Sequence, residues 1–394
     1  MRSIPLAHRV SGFGTSIFTE ITALAIRHSA INLGQGFPDF ASPDFVKQAA
    51  ADAIRADMNQ YAPASGLPQL RQAIAAQWER DYGHAPDWEH EVTVTSGATE
   101  ALCDAILGLC NPGDKLIVFE PAYDAYVADL TMAGAEPIFV RLYPPLYESG
   151  AWSFDEGELE QAFAQQPKAI LINTPHNPTG KVFTTSELEL IAHLCREHNV
   201  LAITDEVYDR IVFDLASHVP LATLPGMWDR TLTINSMGKT FSVTGWKVGY
   251  AIGPQPLIHA VRQAHQWVTF ATATPFQQAA AQAIAHSGEA GYYTQLVADY
   301  AERRAMLQAS LAQAGLPALP TEGSFFTCVD IGSLGVMDAN AFCYRLITEA
   351  GVAAIPISAF YREPEAAPAL VRFCFAKTHE TLAAAGERLA KFRI

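Results

Sequence analysis

The sequence is short of positive charge, of paired cysteines and of long apolar runs. Lys and Arg total 26 against 41 Asp and Glu, a formal net charge of −15. Such a chain repels phosphate backbones and anionic lipid surfaces, which argues against nucleic-acid and membrane partners. A local basic pocket for one small anion stays open. No apolar stretch approaches the ~20 residues that a spanning helix needs. Leu116–Phe119 and Val200–Ile203 are only strand-length. The opening segment, MRSIPLAHRVSGFGTS, has no continuous apolar stretch, so no secretory leader is expected. The six cysteines (103, 110, 195, 328, 343 and 374) form no CxxC pair. They read as reduced core thiols of a cytoplasmic protein. Cys195 and His198 make one CxxH with no second pair behind it, so no metal site is expected.

What is present is a large apolar share. Apolar residues are 49% of the 394 and charged residues 17%. A sizeable core can form, which excludes wholesale disorder. The length suits one large domain with a smaller companion. Short β-rich runs occur at Val92–Thr95, Leu116–Phe119, Pro137–Val140, Ala169–Asn173, Leu201–Asp205, Thr231–Asn235 and Val248–Gly253. Helical spacing lies between several of them. Leu67, Leu70, Ile74 and Trp78 share one face, and Leu188, Ile191, Ala192 and Cys195 follow a capping-box pattern at Thr184–Glu187. Alternation of this kind predicts an α/β fold with a sheet covered on both faces. The texture changes near Phe276. Long helical segments run to Gln313 with an interruption at Ser287-Gly288, then strand signals at Phe325–Val329, Val352–Ile355 and Leu370–Phe375, a helix at Ala339–Ala350 and a last helix from Thr378. The predicted division is a large domain over 45–285, with 1–44 and 286–394 forming a smaller α+β domain.

Ligands of such sheets sit at the C-terminal ends of the strands, so chemistry is sought there. Gly238-Lys239-Thr240 resembles the end of a P-loop, but the earlier glycine is missing because position 233 is Thr. What is left is a lysine just after a strand among small and apolar residues, where desolvation makes an amine nucleophile. Asp205 closes an apolar strand. It could cap a helix or face a protonated ring nitrogen. Thr95-Ser-Gly97-Ala98-Thr99 turns a strand into a helix, either an ordinary connection or an anion site at the helix start. Asn173-Thr-Pro-His-Asn177-Pro-Thr-Gly180 is a stiff turn that could aim an amide at an oxygen anion. Arg372 interrupts an apolar strand, and its planar fork suits a carboxylate, internal or from a substrate. Together these signals ask for a ligand with a phosphate, a phenolate-like oxygen, a ring nitrogen kept protonated and an aldehyde. Pyridoxal 5′-phosphate (PLP) has all four.

The residues also carry a family resemblance over nearly the whole chain. Asn32-Leu-Gly-Gln-Gly-Phe-Pro-Asp39, Gln60-Tyr-Ala-Pro63, Gly97-Ala-Thr99, Glu120-Pro-Ala-Tyr123, Asn177-Pro-Thr-Gly180, Asp205-Glu-Val-Tyr208, Ser236-Met-Gly-Lys239, Gly245-Trp-Lys247-Val-Gly249 and Arg372-Phe-Cys-Phe-Ala-Lys377 resemble the fold-type I, PLP-dependent aminotransferases of class I/II. The bacterial methionine aminotransferases and the kynurenine/glutamine aminotransferases are the most similar branch. The resemblance implies the PLP-dependent transferase fold, with a three-layer α/β/α large domain around a mixed seven-stranded sheet. It implies Lys239 as cofactor tether and proton carrier, Asp205 on the ring nitrogen, and Asn177 and Tyr208 on the ring oxygen. It implies Tyr123 on the ring face and Gly97, Ala98, Thr99, Ser236 and Lys247 on the phosphate. Tyr61 would reach in from the partner of a homodimer. Arg372 would bind the substrate carboxylate with Asn177 and Gly36, and Phe18 would line the side-chain pocket.

Phe18, Thr99 and Phe270 stand where kynurenine aminotransferases often carry Trp, Tyr and an aromatic–His pair. The expected donor is therefore methionine first, then Phe, Tyr, Trp, kynurenine and glutamine, with a 2-oxo acid as acceptor. A cysteine-conjugate β-lyase would use the same residues. A PLP-sensing regulator is more remote, since no basic helix-turn-helix precedes the large domain, and a non-enzymatic scaffold would have no use for Lys239, Asp205 and Arg372.

Overall fold

Strand-length apolar runs fold into a central sheet because helices cover both of its faces. A computed structural model describes residues 6–145, 150–289 and 291–394. A first short strand, β1 (Ile31–Asn32), follows a helix at Ile17–Arg27. The central sheet then contains β2 (Val92–Thr95), β3 (Lys115–Glu120), β4 (Glu136–Tyr143), β5 (Ser153–Phe154), β6 (Ala169–Asn173), β7 (Leu201–Asp205), β8 (Thr231–Ser236) and β9 (Gly249–Ile252). Their order is β2-β9-β8-β7-β6-β3-β4-β5. The run β8-β7-β6-β3-β4 is parallel, while β9 is antiparallel to both of its neighbours. The seven predicted strands are all present. The eighth, β5, is a two-residue edge strand antiparallel to β4. Its Phe154 ring lies 5.3 Å from Phe119 and 6.1 Å from Phe183, an aromatic contact that holds so short a strand in place.

Side chains alternate between the two faces, as strand geometry requires. Ile117, Ile170, Ile172 and Ala202 pack into one buried cluster, with Leu188, Ile191 and Cys195 of the Thr185–Glu197 helix. Leu116, Val118, Leu171 and Ile203 pack into the opposite one, with Leu102, Ile106 and Val261. Thr184 and Glu187 form the capping box that their spacing announced. Leu70, Ile74 and Trp78 are the buried face of the Pro68–Tyr82 helix.

Beyond Thr274 the chain forms two long helices, Thr274–Glu289 and Tyr292–Gln313. The expected break at Ser287-Gly288 falls later. The Ser287 hydroxyl bonds the Ala283 carbonyl at 2.7 Å within the helix, and left-handed Gly291 makes the turn. β10 (Phe326–Asp330), β11 (Val352–Ala353), β12 (Ile355–Pro356) and β13 (Leu370–Cys374) follow. β10, β13 and β12 make an antiparallel sheet, and β1 pairs in parallel with β11. Residues before 44 thus join the C-terminal part of the chain through backbone pairing. All six cysteines are free, and all but Cys103 are buried. Among the described residues no helix is long and apolar enough to cross a membrane.

Candidate active site

Parallel strands deliver their last residues to one edge of the sheet. Asn173 ends β6, Asp205 ends β7 and Ser236 ends β8, with Asn173 and Asp205 in register. Lys239 sits in the single helical turn Met237–Thr240 directly after β8. These ends floor a cavity of about 470 Å³. Lys239, Asp205, Tyr208, Gly97, Ala98, Thr99, Tyr123, Asn177, Ser236, Lys247, Arg372, Gly36 and Phe18 all line it. Tyr61 does not. It is 85% exposed on the outside of the chain, edge-on to Phe270 at 5.3 Å.

Lys239 Nζ donates to the Gly36 carbonyl at 3.0 Å and stands 5.5 Å from the Tyr208 ring centre. Burial pushes its pKa down to about 8, with Arg372 and Lys247 adding to the fall against Cys374 and Asp205. A lysine in that range holds a usable neutral amine near physiological pH. Asp205 is buried, which lifts its carboxyl to about 6 even though Tyr126, the Val207 N–H and Lys239 pull it back. The Tyr126 hydroxyl donates to Asp205 Oδ2 at 2.7 Å. Asn173 Nδ2 donates to the Asp205 carbonyl at 2.8 Å, and its Oδ1 accepts the Asn177 N–H at 2.7 Å. One short chain of bonds therefore fixes Asp205 and Asn177 together. Tyr126 and Asn173 were not singled out from the sequence. Tyr126 could have been found from its i+3 spacing to Tyr123 on one helix, and Asn173 from its strand-end position matching Asp205.

The other end of the cavity is a helix start. Gly97 precedes the Ala98–Leu109 helix with φ 82°. A Cβ there would lie 3.0 Å from Lys247 Nζ, so the ammonium stands against the turn. A Cβ on Gly249 would lie 2.3 Å from the Gly97 carbonyl carbon, so two backbones touch and only glycine fits. Free first-turn N–H groups and a lysine beside them make a phosphate-sized anion site.

Arg372 is the least explained group on internal grounds. It is 1% exposed, yet it donates to Asn177 Oδ1 at 2.7 Å and Gly34 O at 2.6 Å rather than to a carboxylate. Its Nε has no hydrogen-bond partner among the described residues. The guanidinium lies over Phe326 at 4.0 Å, Phe360 at 5.0 Å and Phe18 at 5.3 Å. A buried cation so placed calls for an anion from outside the chain. Amine, buried carboxylate, anion cradle and spare guanidinium are the donor set that fits PLP and an amino acid's carboxylate.

The comparisons agree with this chemistry. A family model described as aminotransferase class I and II matches residues 28–389. The chain is similar to the solved N-succinyldiaminopimelate aminotransferase of Mycobacterium tuberculosis, with 43% identity, a TM-score of 0.93 and coverage of 98% of this chain and 99% of that one. It is 39% identical to the methionine aminotransferase of Escherichia coli, covering 95% of each. It is 38% identical to human kynurenine–oxoglutarate transaminase 1, covering 98% of each. With the family shown over most of its length, the chain belongs to the class I and II aminotransferases and is a PLP-dependent enzyme.

Proposed function

We propose that this aminotransferase takes methionine as its preferred amino donor, with Phe, Tyr, Trp, kynurenine and glutamine behind it, and passes the amino group to a 2-oxo acid by a ping-pong route. The observation that carries the reading is Arg372, a buried cation that pairs with no carboxylate among the described residues and faces a cavity walled by Phe18, Phe326 and Tyr123. An apolar side chain gains by area burial there, and a thioether gains further from the aromatic edges. Anionic side chains are disfavoured. Lys239, Lys247 and Arg372 have assigned work, and Asp124 adds a carboxylate to the lining. The resemblance to an N-succinyldiaminopimelate aminotransferase nonetheless puts that compound among the donors to be assayed.

Bound here, PLP supplies an electron sink for the electrons left on the amino acid Cα after proton loss. The residues supply the rest. Asp205 would hold the ring-nitrogen proton. Asn177 presents its oxygen to Arg372, which has no acceptor, so its amide N–H₂ is left for the ring oxygen beside Tyr208. Tyr123 would cover the ring face. Gly97, Ala98, Thr99, Ser236 and Lys247 would hold the phosphate. Lys239 would tether the cofactor and, once released, carry the proton from Cα. Arg372 would clamp the substrate carboxylate with Asn177 and Gly36, and Phe18 would line the side-chain end.

A homodimer completes this reading, because Trp267, Val268 and Phe270 expose large apolar side chains together with Tyr61, a site residue otherwise unused. A large domain at 45–285 and a smaller one from 1–44 and 286–394 belong to it too, supported by the β1–β11 pairing. So does a cytoplasmic location, supported by the six free thiols.

The donor assay follows the absorption of the PLP-loaded enzyme as amino acids are added singly without an oxo acid. Methionine is expected to convert the yellow form to the near-ultraviolet form fastest, and aspartate slowest. Faster conversion by N-succinyldiaminopimelate would overturn the donor assignment. Continuous release of ammonia and pyruvate from cysteine conjugates would point to the β-lyase instead.

Tyr126→Phe tests the Asp205 anchor. Loss of its hydrogen bond to a carboxylate should lower kcat about tenfold, the scale for a charged hydrogen bond, with KM for methionine little changed. Steady-state kinetics on the variant would show it. An equal rise in KM would place Tyr126 in substrate binding instead.

A further inference from the structure

Behind the anion cradle lies a buried charged cluster that the chemistry above does not use. His265, on the Gln255–Val268 helix, is fully buried. Its Nδ1 lies 2.9 Å from Glu100 Oε1 and 3.6 Å from Asp104 Oδ2, one turn further along the helix that starts the cradle. Glu100 uses its other oxygen to accept the Ser96 N–H, the residue just before Gly97. The Ser96 hydroxyl is 3.1 Å from that of Thr272, in the segment that follows His265. Imidazole and two carboxylates this close could also bind a metal. Here the imidazole-to-Glu100 spacing is a hydrogen bond, and Glu100's second oxygen is already bonded to backbone.

Burial pushes His265 down, but the neighbouring carboxylates of Asp104 and Glu100 outweigh that and lift it to about 9. Asp129 lies beyond Asp104 on the next helix. Arg262, one turn back on the His265 helix, is occupied by the Glu89 and Val92 carbonyls. The imidazolium is thus the cation of this cluster, and it faces Glu100.

We propose that His265 is a positioning residue for the cofactor phosphate: it fixes Glu100, Glu100 fixes the Ser96 N–H, and the Ser96-Gly97-Ala98 turn thereby keeps the shape that accepts a phosphate dianion. The relay acts through backbone geometry and touches no other part of the cofactor. It rests on the PLP site described above, and it makes a demand that general stability does not. Loss of His265 must weaken binding of phosphorylated PLP and leave unphosphorylated pyridoxal alone.

The test is fluorescence titration of the cofactor-free protein with PLP and with pyridoxal, for the unmodified chain, His265→Ala, His265→Asn and Glu100→Gln. His265→Ala should raise the PLP dissociation constant about tenfold, the scale for one charged hydrogen bond, with pyridoxal changed less than about twofold. His265→Asn returns an N–H near the Nδ1 position and should come back to within about threefold of the unmodified protein. Glu100→Gln weakens the same link without opening a cavity, and should shift PLP in the same direction should His265→Ala fail to fold. Equal losses for PLP and pyridoxal, or none for either, would overturn the relay. Failure of the unmodified chain to bind PLP would overturn the site with it.

Discussion

Lys239→Ala is expected to lower turnover about 10⁴-fold, the upper range for loss of a positioned proton carrier. The lysine has two tasks that no neighbour can take over. In the proposed reading it would tether the cofactor aldehyde and, once released, would carry the proton from the substrate Cα. Among the described residues its only hydrogen bond is to the Gly36 carbonyl, which accepts and cannot move a proton. Asp205 and Tyr208 line the same cavity, and the proposed reading assigns them to the ring nitrogen and the ring oxygen. Single-turnover spectra with methionine check the expectation, and a variant within about tenfold of the unmodified rate would remove Lys239 from the chemistry. A pH signature accompanies the loss. In the cofactor-free chain burial lowers Lys239 to about 8. Only the neutral amine attacks an aldehyde, so roughly a tenth of the lysine is reactive at pH 7. At an ordinary lysine pKa the fraction would be roughly one in three thousand. The rate of PLP capture should therefore rise about tenfold per pH unit below 8 and level off above it. A rise continuing to pH 10 would mean that the amine is solvated in the free chain.

Arg372→Lys should lower kcat/KM for methionine about 10²-fold, even though the charge is kept. An ammonium is a point charge and cannot hold Asn177 Oδ1, Gly34 O and a bidentate carboxylate together. The substitution also leaves one of those buried acceptors without a donor, at a cost of about 1–3 kcal/mol. Burial lowers even the guanidinium to about 10, yet it stays cationic at neutral pH. The decisive comparison is methionine against 3-methylthiopropylamine, the same side chain without the carboxylate. The unmodified enzyme should discriminate strongly between them, and the variant should lose most of that discrimination. Unchanged discrimination would mean that the carboxylate is bound elsewhere.

Much of this molecule could be read along the chain. The central strands and their covering helices follow from local periodicity, which needs only neighbours a few residues away. The capping box at Thr184 and Glu187 is local in the same sense. Lys239, Asp205, Asn177 and Arg372 were legible because each breaks an apolar or turn pattern with a residue that is costly to bury. The edge strand β5 was not legible, because two residues have no period and depend on Phe119 and Phe183 from distant segments. The helix break expected at Ser287-Gly288 moved, because a buried serine can satisfy its hydroxyl inside the helix.

What the sequence determined by itself was the family, the cofactor and the residue types that the reaction needs, since each of those is written in short motifs. What only the tertiary structure decided was which groups hold those residues in place. Tyr126 on Asp205, Asn173 on Asn177, and His265 with Glu100 behind the anion cradle pair residues separated by 79, 4 and 165 positions. The two long-range pairs have no common motif, because the free energy of a buried hydrogen bond depends on distance in space and desolvation rather than on separation along the chain.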